Sequence, residues 1–530
     1  YSQIQFSGSW EGVFMNDFNT KIEFNSEENN NYTGRIQMFS GGKVIQDDPI
    51  SKINSTQHLL TFRIESKETD FKGKFNNDIT ELSGVFVFPD KSEHPLKLVR
   101  STVPESSEED SAESYWDLRN KKYPVDELTE DLMYLVDQLK EIHPALYSYS
   151  TQDKFNSLVN ESIQNISSEL TIIEFFNLIA PIVENIRCSH TGIRLPEDFQ
   201  KEIYSNDNFL PLKLIIEGNK AFCLENYENL NPSILPGNEI ISINNIPIQT
   251  IIQKLYAFIP SEGNNSSTKN YQANQNFNTY YNLLDNSPRF DIEYVNSNSK
   301  MKTSLKAYKY PELGLDNNVI QDDLPIEFYT DYENKIGFLT VRSFMIRDIN
   351  QYIQKMDSIF SSLKNEMTEH IVIDLRGNSG GHPIFAAQLF SYLTDKDFTY
   401  FKRNMDAMEF EPLYNTMHPN KLQFEGDIYV LTDGGCLSTT GHLISLIKHH
   451  TNAKFIGTEP GSTYCCNDLS KKITLPNTGI EANIPRTTFE TATDHLGTME
   501  FFKVDYQVNC AVDDCLNGVD CYLKFVQTLN

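Results

Sequence analysis

Over the first hundred residues apolar and polar positions alternate in short runs broken by glycine, as in Gly8-Ser9-Trp10-Glu11-Gly12, Phe71-Lys72-Gly73-Lys74-Phe75 and Leu82-Ser83-Gly84-Val85-Phe86. A period of two turns one face of each strand inward, and glycines mark where strands bend. The pattern predicts an all-β barrel or sandwich over residues 1–100. No polar cluster stands out within it, so the module reads as structural rather than ligand-binding. Residues 101–118 read as an acidic linker, because Ser101 to Ser114 holds almost no apolar side chain to bury. The period then becomes helical. Leu128, Leu132, Leu135, Val136, Leu139 and Ile142 recur at helical spacing until Pro144 stops the pattern. A second helix opens with Thr171 and Glu174 at capping-box spacing, buries Phe175, Phe176, Ile179, Ile182 and Ile186, and is expected to kink near Pro181. Together these form a helical leader over residues 119–200.

Between residues 204 and 308 the chain returns to short strands, with Asn244-Asn245 between apolar runs as a hairpin signal. From about residue 325 to the end, strands (Ile336 to Val341, Ile371 to Leu375, Ile428 to Leu431, Phe455 to Gly457) alternate with helical stretches (Asn350 to Leu363, Pro383 to Leu393, Thr439 to His450). That alternation predicts an α/β layer.

Charge narrows the partners. With 45 Lys+Arg against 73 Asp+Glu the formal charge is -28, a field that repels phosphate backbones and anionic lipid. Nucleic acid is therefore not an expected partner, and no run of apolar residues is long enough for a membrane span. The chain opens at Tyr1 with no charged-then-apolar leader, which predicts that a signal peptide has been removed. Eight cysteines, three of them in the last 21 residues, suit disulfides and hence a secreted or periplasmic location. The alternative is a set of buried thiols. Zinc on Cys465, Cys466, Cys510, Cys515 and Cys521 is disfavoured by the absence of a C-x-x-C pair. Asp513, Asp514 and Asp520 do not have EF-hand spacing and read as helix caps, so no metal and no cofactor is predicted.

Two segments carry the chemistry. Strand Ile371 to Leu375 runs into the turn Arg376-Gly377-Asn378-Ser379-Gly380-Gly381 and then a helix after Pro383. Such glycines leave backbone N–H groups pointing outward, as an oxyanion hole requires; the Gly-Lys-Ser/Thr ending of a phosphate loop is missing. The second segment, Val430 to His442, places Ser438 after a glycine turn at the start of an apolar helix, in the positive field of the helix amides. That position suits a nucleophile, and it equally suits an ordinary N-cap. The G-x-S-x-G elbow of α/β-hydrolases is absent.

Together, Ile371 to Gly381 and Val430 to Gly441 resemble the two signature segments of the S41 family of serine peptidases, the tail-specific and C-terminal-processing proteases and the tricorn core. The resemblance extends from Tyr123 to the C-terminus: His143-Pro144-Ala145-Leu146-Tyr147 is similar to the family's helical leader, Leu235 to Ile248 to its PDZ-like insert, and Val504-Asp505-Tyr506-Gln507-Val508 to its closing strand. It implies a multidomain chain: an N-terminal β-barrel, a helical leader, a PDZ-like β insert over 204–308 and an α/β catalytic domain of ClpP/crotonase-like type over 325–530. Carried over by position, Ser438 matches the nucleophile, and the amides of Gly380 or Gly381 and of Thr439 match the oxyanion hole. One branch of the family uses a lysine, but Thr463 and Tyr464 occupy that stretch and the nearest lysine is Lys471. The tricorn-like branch uses a histidine preceded by a serine that a glutamate orients, which points to Ser189-His190, with Glu500 as the acid and Glu459 as its alternative. His442, one turn after Ser438, ranks second as base. The implied activity is hydrolysis of polypeptide through an acyl-enzyme. Two alternatives are an esterase using the same serine and, by resemblance to the repeats of the interphotoreceptor retinoid-binding protein, a non-catalytic module binding apolar ligands.

Overall fold

The computed structural model describes residues 6–14, 18–26, 32–40, 43–56, 58–76, 78–89, 91–100, 115–227, 232–313, 324–403, 408–462, 464–493 and 502–529. Its contacts divide the chain into two units, Tyr1–Ala112 and Glu113–Asn530. Most of the expected linker, residues 101–114, lies outside the described residues.

The first unit is a closed antiparallel barrel of eight strands paired in chain order. It closes where Gly8–Phe14 pairs with Glu93–Arg100. Trp10, Phe24, Phe62, Phe71, Phe75 and Phe86 are buried inside; aromatic rings of this size fill an eight-stranded interior and supply most of its apolar burial. Gly12 lies on the closing seam, where a Cβ would stand 2.0 Å from the Lys97 carbonyl oxygen. The barrel alternative of the sequence reading is therefore the observed one, with its interior packed by side chains.

In the second unit the helix Val125–Ile142 buries Leu128, Leu132, Leu135, Val136 and Leu139 and ends just before His143-Pro144, as its periodicity predicts. The helix Ile172–Glu184 starts on the Thr171/Glu174 capping box, and Pro181 falls in its last turn. Asp131, buried on the first of these helices, accepts from the backbone N–H groups of Asn477 and Thr478 at 2.9 and 2.8 Å. That contact ties the leader to the C-terminal part of the chain. The next segment forms an antiparallel sheet of Leu212–Glu217, Lys220–Asn226, Glu239–Ile243, Arg289–Asn296 and Ser299–Lys306, with helices Ile248–Tyr256 and Ser267–Asn282 packed on it. The hairpin at Asn244-Asn245 forms with both residues at positive φ, 48° and 64°, the two-residue turn that Asn tolerates.

The largest core belongs to a six-stranded sheet in the order Ile326–Asp331, Ile336–Val341, His370–Asp374, Asp427–Thr432, Lys454–Gly457, Tyr506–Gln507. Its first pair is antiparallel and the rest are parallel. Ile371, Ile373 and Val430 face the helices Ile349–Asn365, Pro383–Ser391 and Thr439–His450. Val372, Leu431 and Ile456 face the C-terminal helix Cys521–Val526, which a Cys510–Cys521 disulfide staples down. Burial on both faces explains the nearly continuous apolar runs of these strands. Asp520 caps that helix, accepting from the amides of Tyr522 and Leu523.

Candidate active site

Parallel strands His370–Asp374 and Asp427–Thr432 end side by side, so both glycine-rich turns emerge at the carboxyl edge of the sheet, where ligands of such sheets bind. Two side chains knot the turns together. Asp433 Oδ1 accepts from the amides of Gly377 and Gly435, each at 2.9 Å. Asn378 is fully buried; its Oδ1 accepts from Gly380 N at 2.9 Å and its carbonyl accepts from Leu437 N at 3.1 Å.

Ser438 opens the helix Thr439–His450 at φ 53° and ψ −123°, and its side chain makes no capping hydrogen bond. That backbone region favours glycine, so holding a serine there stores strain of about 1–3 kcal/mol. The Ser438 amide is anchored instead, donating to Ser462 Oγ at 2.6 Å. The hydroxyl thus has no capping role, unlike that of an ordinary N-cap serine, and no hydrogen-bond partner among the described residues. Gly380 lies directly against it: a Cβ there would be 2.9 Å from Ser438 Cβ and 3.0 Å from Thr439 N. Since Gly380 N is committed to Asn378, the two amides near Ser438 with no acceptor among the described residues are those of Gly381 and Thr439. The Thr439 hydroxyl donates to the Gly381 carbonyl, which locks these two amides in a fixed relation.

His190 follows the leader on a turn between the helix Ile172–Glu184 and the strand Gly192–Arg194. Its Nδ1 is 3.3 Å from Ser189 Oγ and 4.0 Å from Cys466 Sγ, and its Nε2 lies 3.7 Å from Asp468 Oδ2. Burial lowers the His190 pKa below the usual histidine value while the Asp468 charge opposes that shift. The ring is therefore neutral, and able to accept a proton, at pH 7. His143, from the leader motif, supports this turn: its Nδ1 accepts from Ala145 N at 3.1 Å, so Nε2 carries the proton that it donates to Thr191 Oγ1 at 3.0 Å.

The carboxylate at Ser189 is Glu262, which sequence reasoning did not single out. Its Oε2 accepts from Ser189 Oγ at 3.0 Å and from Ser189 N at 3.3 Å, across 73 residues of sequence. Glu262 is 1% exposed, and burial pushes its pKa up to about 7 against the hydrogen bonds from Ser189. The expected Glu500 lies outside the described residues, and Glu459 is not among the partners of Ser189. Asp468 and Cys466, brought to His190 by the strand Cys465–Asp468, were likewise not foreseen. No local signal separates Glu262 from other acids, because only the packing of the insert's 259–266 loop against the leader brings it to Ser189.

His442 is enclosed rather than exposed to substrate. It is 3% exposed, its ring meets Tyr400 and Phe401 edge to face, and neither ring nitrogen has a hydrogen-bond partner among the described residues. Burial and the neighbouring His190 lower its pKa to about 3. Lys471 and Lys472 engage Gln138 and Glu481 respectively on the second unit's surface.

A cavity of about 670 Å³ opens beside the histidine, lined by Ser189, His190, Phe176, Phe258, Tyr280 and, next to the serine, Leu437 among others. Residues 335–490, which hold both glycine turns and Ser438, match the model of Peptidase family S41. That segment is similar to the serine peptidases of family S41. Among solved structures, mature CPAF superimposes with a TM-score of 0.56 at 14% identity, covering 76% of this chain and 96% of that one. A putative peptidase from Parabacteroides merdae aligns with a TM-score of 0.42 at 12% identity over 77% of this chain and 96% of that one. No curated protein matches the chain. The S41 match covers the segment in which the nucleophile was expected, while Ser189, His190 and Glu262 lie N-terminal to it.

Proposed function

We propose that the chain is an S41 serine peptidase that cleaves polypeptide by an acyl-enzyme route with Ser438 as nucleophile, His190 as general base, and Ser189 and Glu262 as the groups that orient the base. The observation that carries the reading is the strained, uncapped Ser438 beside two amides without acceptors among the described residues. Ser438 Oγ attacks the carbonyl carbon and its proton passes to His190 Nε2. The carbonyl π pair becomes an oxyanion, stabilised by the N–H groups of Gly381 and Thr439. Collapse breaks the C–N bond, and the imidazolium returns its proton to the departing amine. Water, activated by the same histidine, then releases the acid product and restores Ser438. Asp468 lies close enough to favour the imidazolium form, and Ser189 hands the influence of the Glu262 carboxylate to the ring.

The sheet and two helices of residues 212–306 serve, in this reading, as a PDZ-like insert, and the Cys510–Cys521 disulfide fits an extracytoplasmic protein. No helix among the described residues is long and apolar enough to cross a membrane. The test is Ser438→Ala beside His190→Ala, assayed on a casein-type substrate and by labelling with a serine-directed phosphonate. Both variants should lose turnover by several orders of magnitude, and Ser438→Ala should also lose the label. Full activity in a folded Ser438→Ala protein would overturn the assignment.

A further inference from the structure

The cavity beside His190 is walled mainly by apolar side chains, including Phe176, Ile203, Phe258, Tyr280 and Leu437. Among the described residues the only permanently charged side chain lining it is Arg194. It stands four residues after the proposed base. Its cross-strand neighbour Glu481 is taken by Lys472 at 2.6 Å, and the exposed Arg194 guanidinium makes no ion pair among the described residues. The strand that carries it, Gly192–Arg194, is the end strand of its three-stranded sheet, paired with Glu481–Ile484 on one side only. At Gly192 the cavity is open: a Cβ there would meet nothing nearer than Pro260 Cγ at 3.8 Å. Gly192 and Arg194 lie on the same strand face, as residues two apart must.

We propose that the peptide substrate docks as an added strand on Gly192–Arg194, placing a bulky apolar side chain in the cavity beside Gly192 and a carboxylate two residues away against Arg194. The inference rests on reading the site as a peptidase centre and names its substrate class. The free strand edge supplies main-chain hydrogen bonds, the cavity selects size, and the guanidinium selects charge. Two residues of extended chain span roughly 6.6 Å, the separation of Gly192 and Arg194 along their own strand. A carboxylate at that point can belong to an Asp or Glu side chain or to a chain terminus.

Binding separates these sources and is independent of turnover. Fluorescently labelled peptides containing Phe and, two residues before or after it, either Glu with an amidated end, Gln with an amidated end, or a free terminal carboxylate are titrated against the full-length Ser438→Ala protein. At low salt at least one carboxylate peptide should bind about five- to tenfold more tightly than the Gln amide, and the preference should shrink at high salt. Preference for Glu alone identifies a side-chain reader, and preference for the free end a terminus reader. In Arg194→Gln the difference should collapse to within about twofold, and in Gly192→Leu the advantage of Phe over Ala at the apolar position should disappear. Equal binding of all three peptides by the protein that keeps Arg194 overturns the proposal without recourse to any Arg194 variant, as does a preference that survives Arg194→Gln. Phosphonate labelling of the wild-type chain reads the other layer. Labelling without a carboxylate preference sinks the docking mode alone, whereas a carboxylate preference without labelling at Ser438 sinks the peptidase chemistry and leaves the docking site standing.

Discussion

Replacing Glu262 by Gln tests whether a buried carboxyl, invisible in the sequence, sets both the acid–base behaviour and the stability of this site. Glu262 is 1% exposed and burial raises its pKa from 4.5 to about 7. The folded chain therefore holds a proton between these values that the unfolded chain has released, so this group's contribution to stability is full below pH 4.5 and is lost as pH rises through 7. A shift of that size corresponds to about 3 kcal/mol. Gln retains an oxygen to accept from Ser189 but cannot titrate. Denaturant unfolding of wild type and Glu262→Gln, followed through the transition of the second unit at pH 5 and pH 8, should give similar stabilities at pH 5, with the variant about 3 kcal/mol more stable at pH 8. In catalysis the sign reverses. With His190 as the proposed base, ionised Glu262 favours its imidazolium form, so wild-type kcat should rise through pH 7 while the variant lacks that rise, with KM little changed. Parallel stability curves, or an ionisation near pH 7 that persists in the kcat profile of Glu262→Gln, would refute the reasoning.

Ser438→Gly should abolish hydrolysis yet stabilise the fold by about 1 kcal/mol, since glycine adopts the observed φ of 53° without strain; thermal unfolding reads the gain. Gly380→Ala should lower kcat at least about 100-fold, because its Cβ would press on Ser438 from 2.9 Å and disturb the adjoining amides. His442, held neutral with a pKa of about 3, destabilises the fold as pH falls from 6.5 toward 3; His442→Phe should therefore be about 3 kcal/mol more stable than wild type at pH 4 and much closer to it at pH 7.5. A loss of kcat in that variant matching the loss in His190→Ala would return His442 to the role of base.

Local rules carry far in this chain because most of its elements are defined by patterns shorter than about twenty residues. Alternation with glycines at the bends specified the all-β module of residues 1–100 as a barrel or sandwich, the capping box fixed where the helix Ile172–Glu184 begins, and Asn244-Asn245 fixed its hairpin. The two glycine turns with Ser438 were equally legible, since a strand, a glycine turn and a helix start are contiguous in sequence. What the tertiary structure decided is which distant groups meet. Glu262 reaches Ser189 across 73 residues because the loop after the helix Ile248–Tyr256 packs back on the leader. Gly380 and Gly381 are adjacent and chemically alike, but Asn378 takes the amide of Gly380 while that of Gly381 has no acceptor among the described residues. His190 and His442 are one residue type in two settings: one lines a cavity beside a carboxylate, the other is shut among aromatic rings. Sequence period determines secondary structure because backbone geometry is local, whereas proton affinity and reach depend on neighbours that only folding supplies.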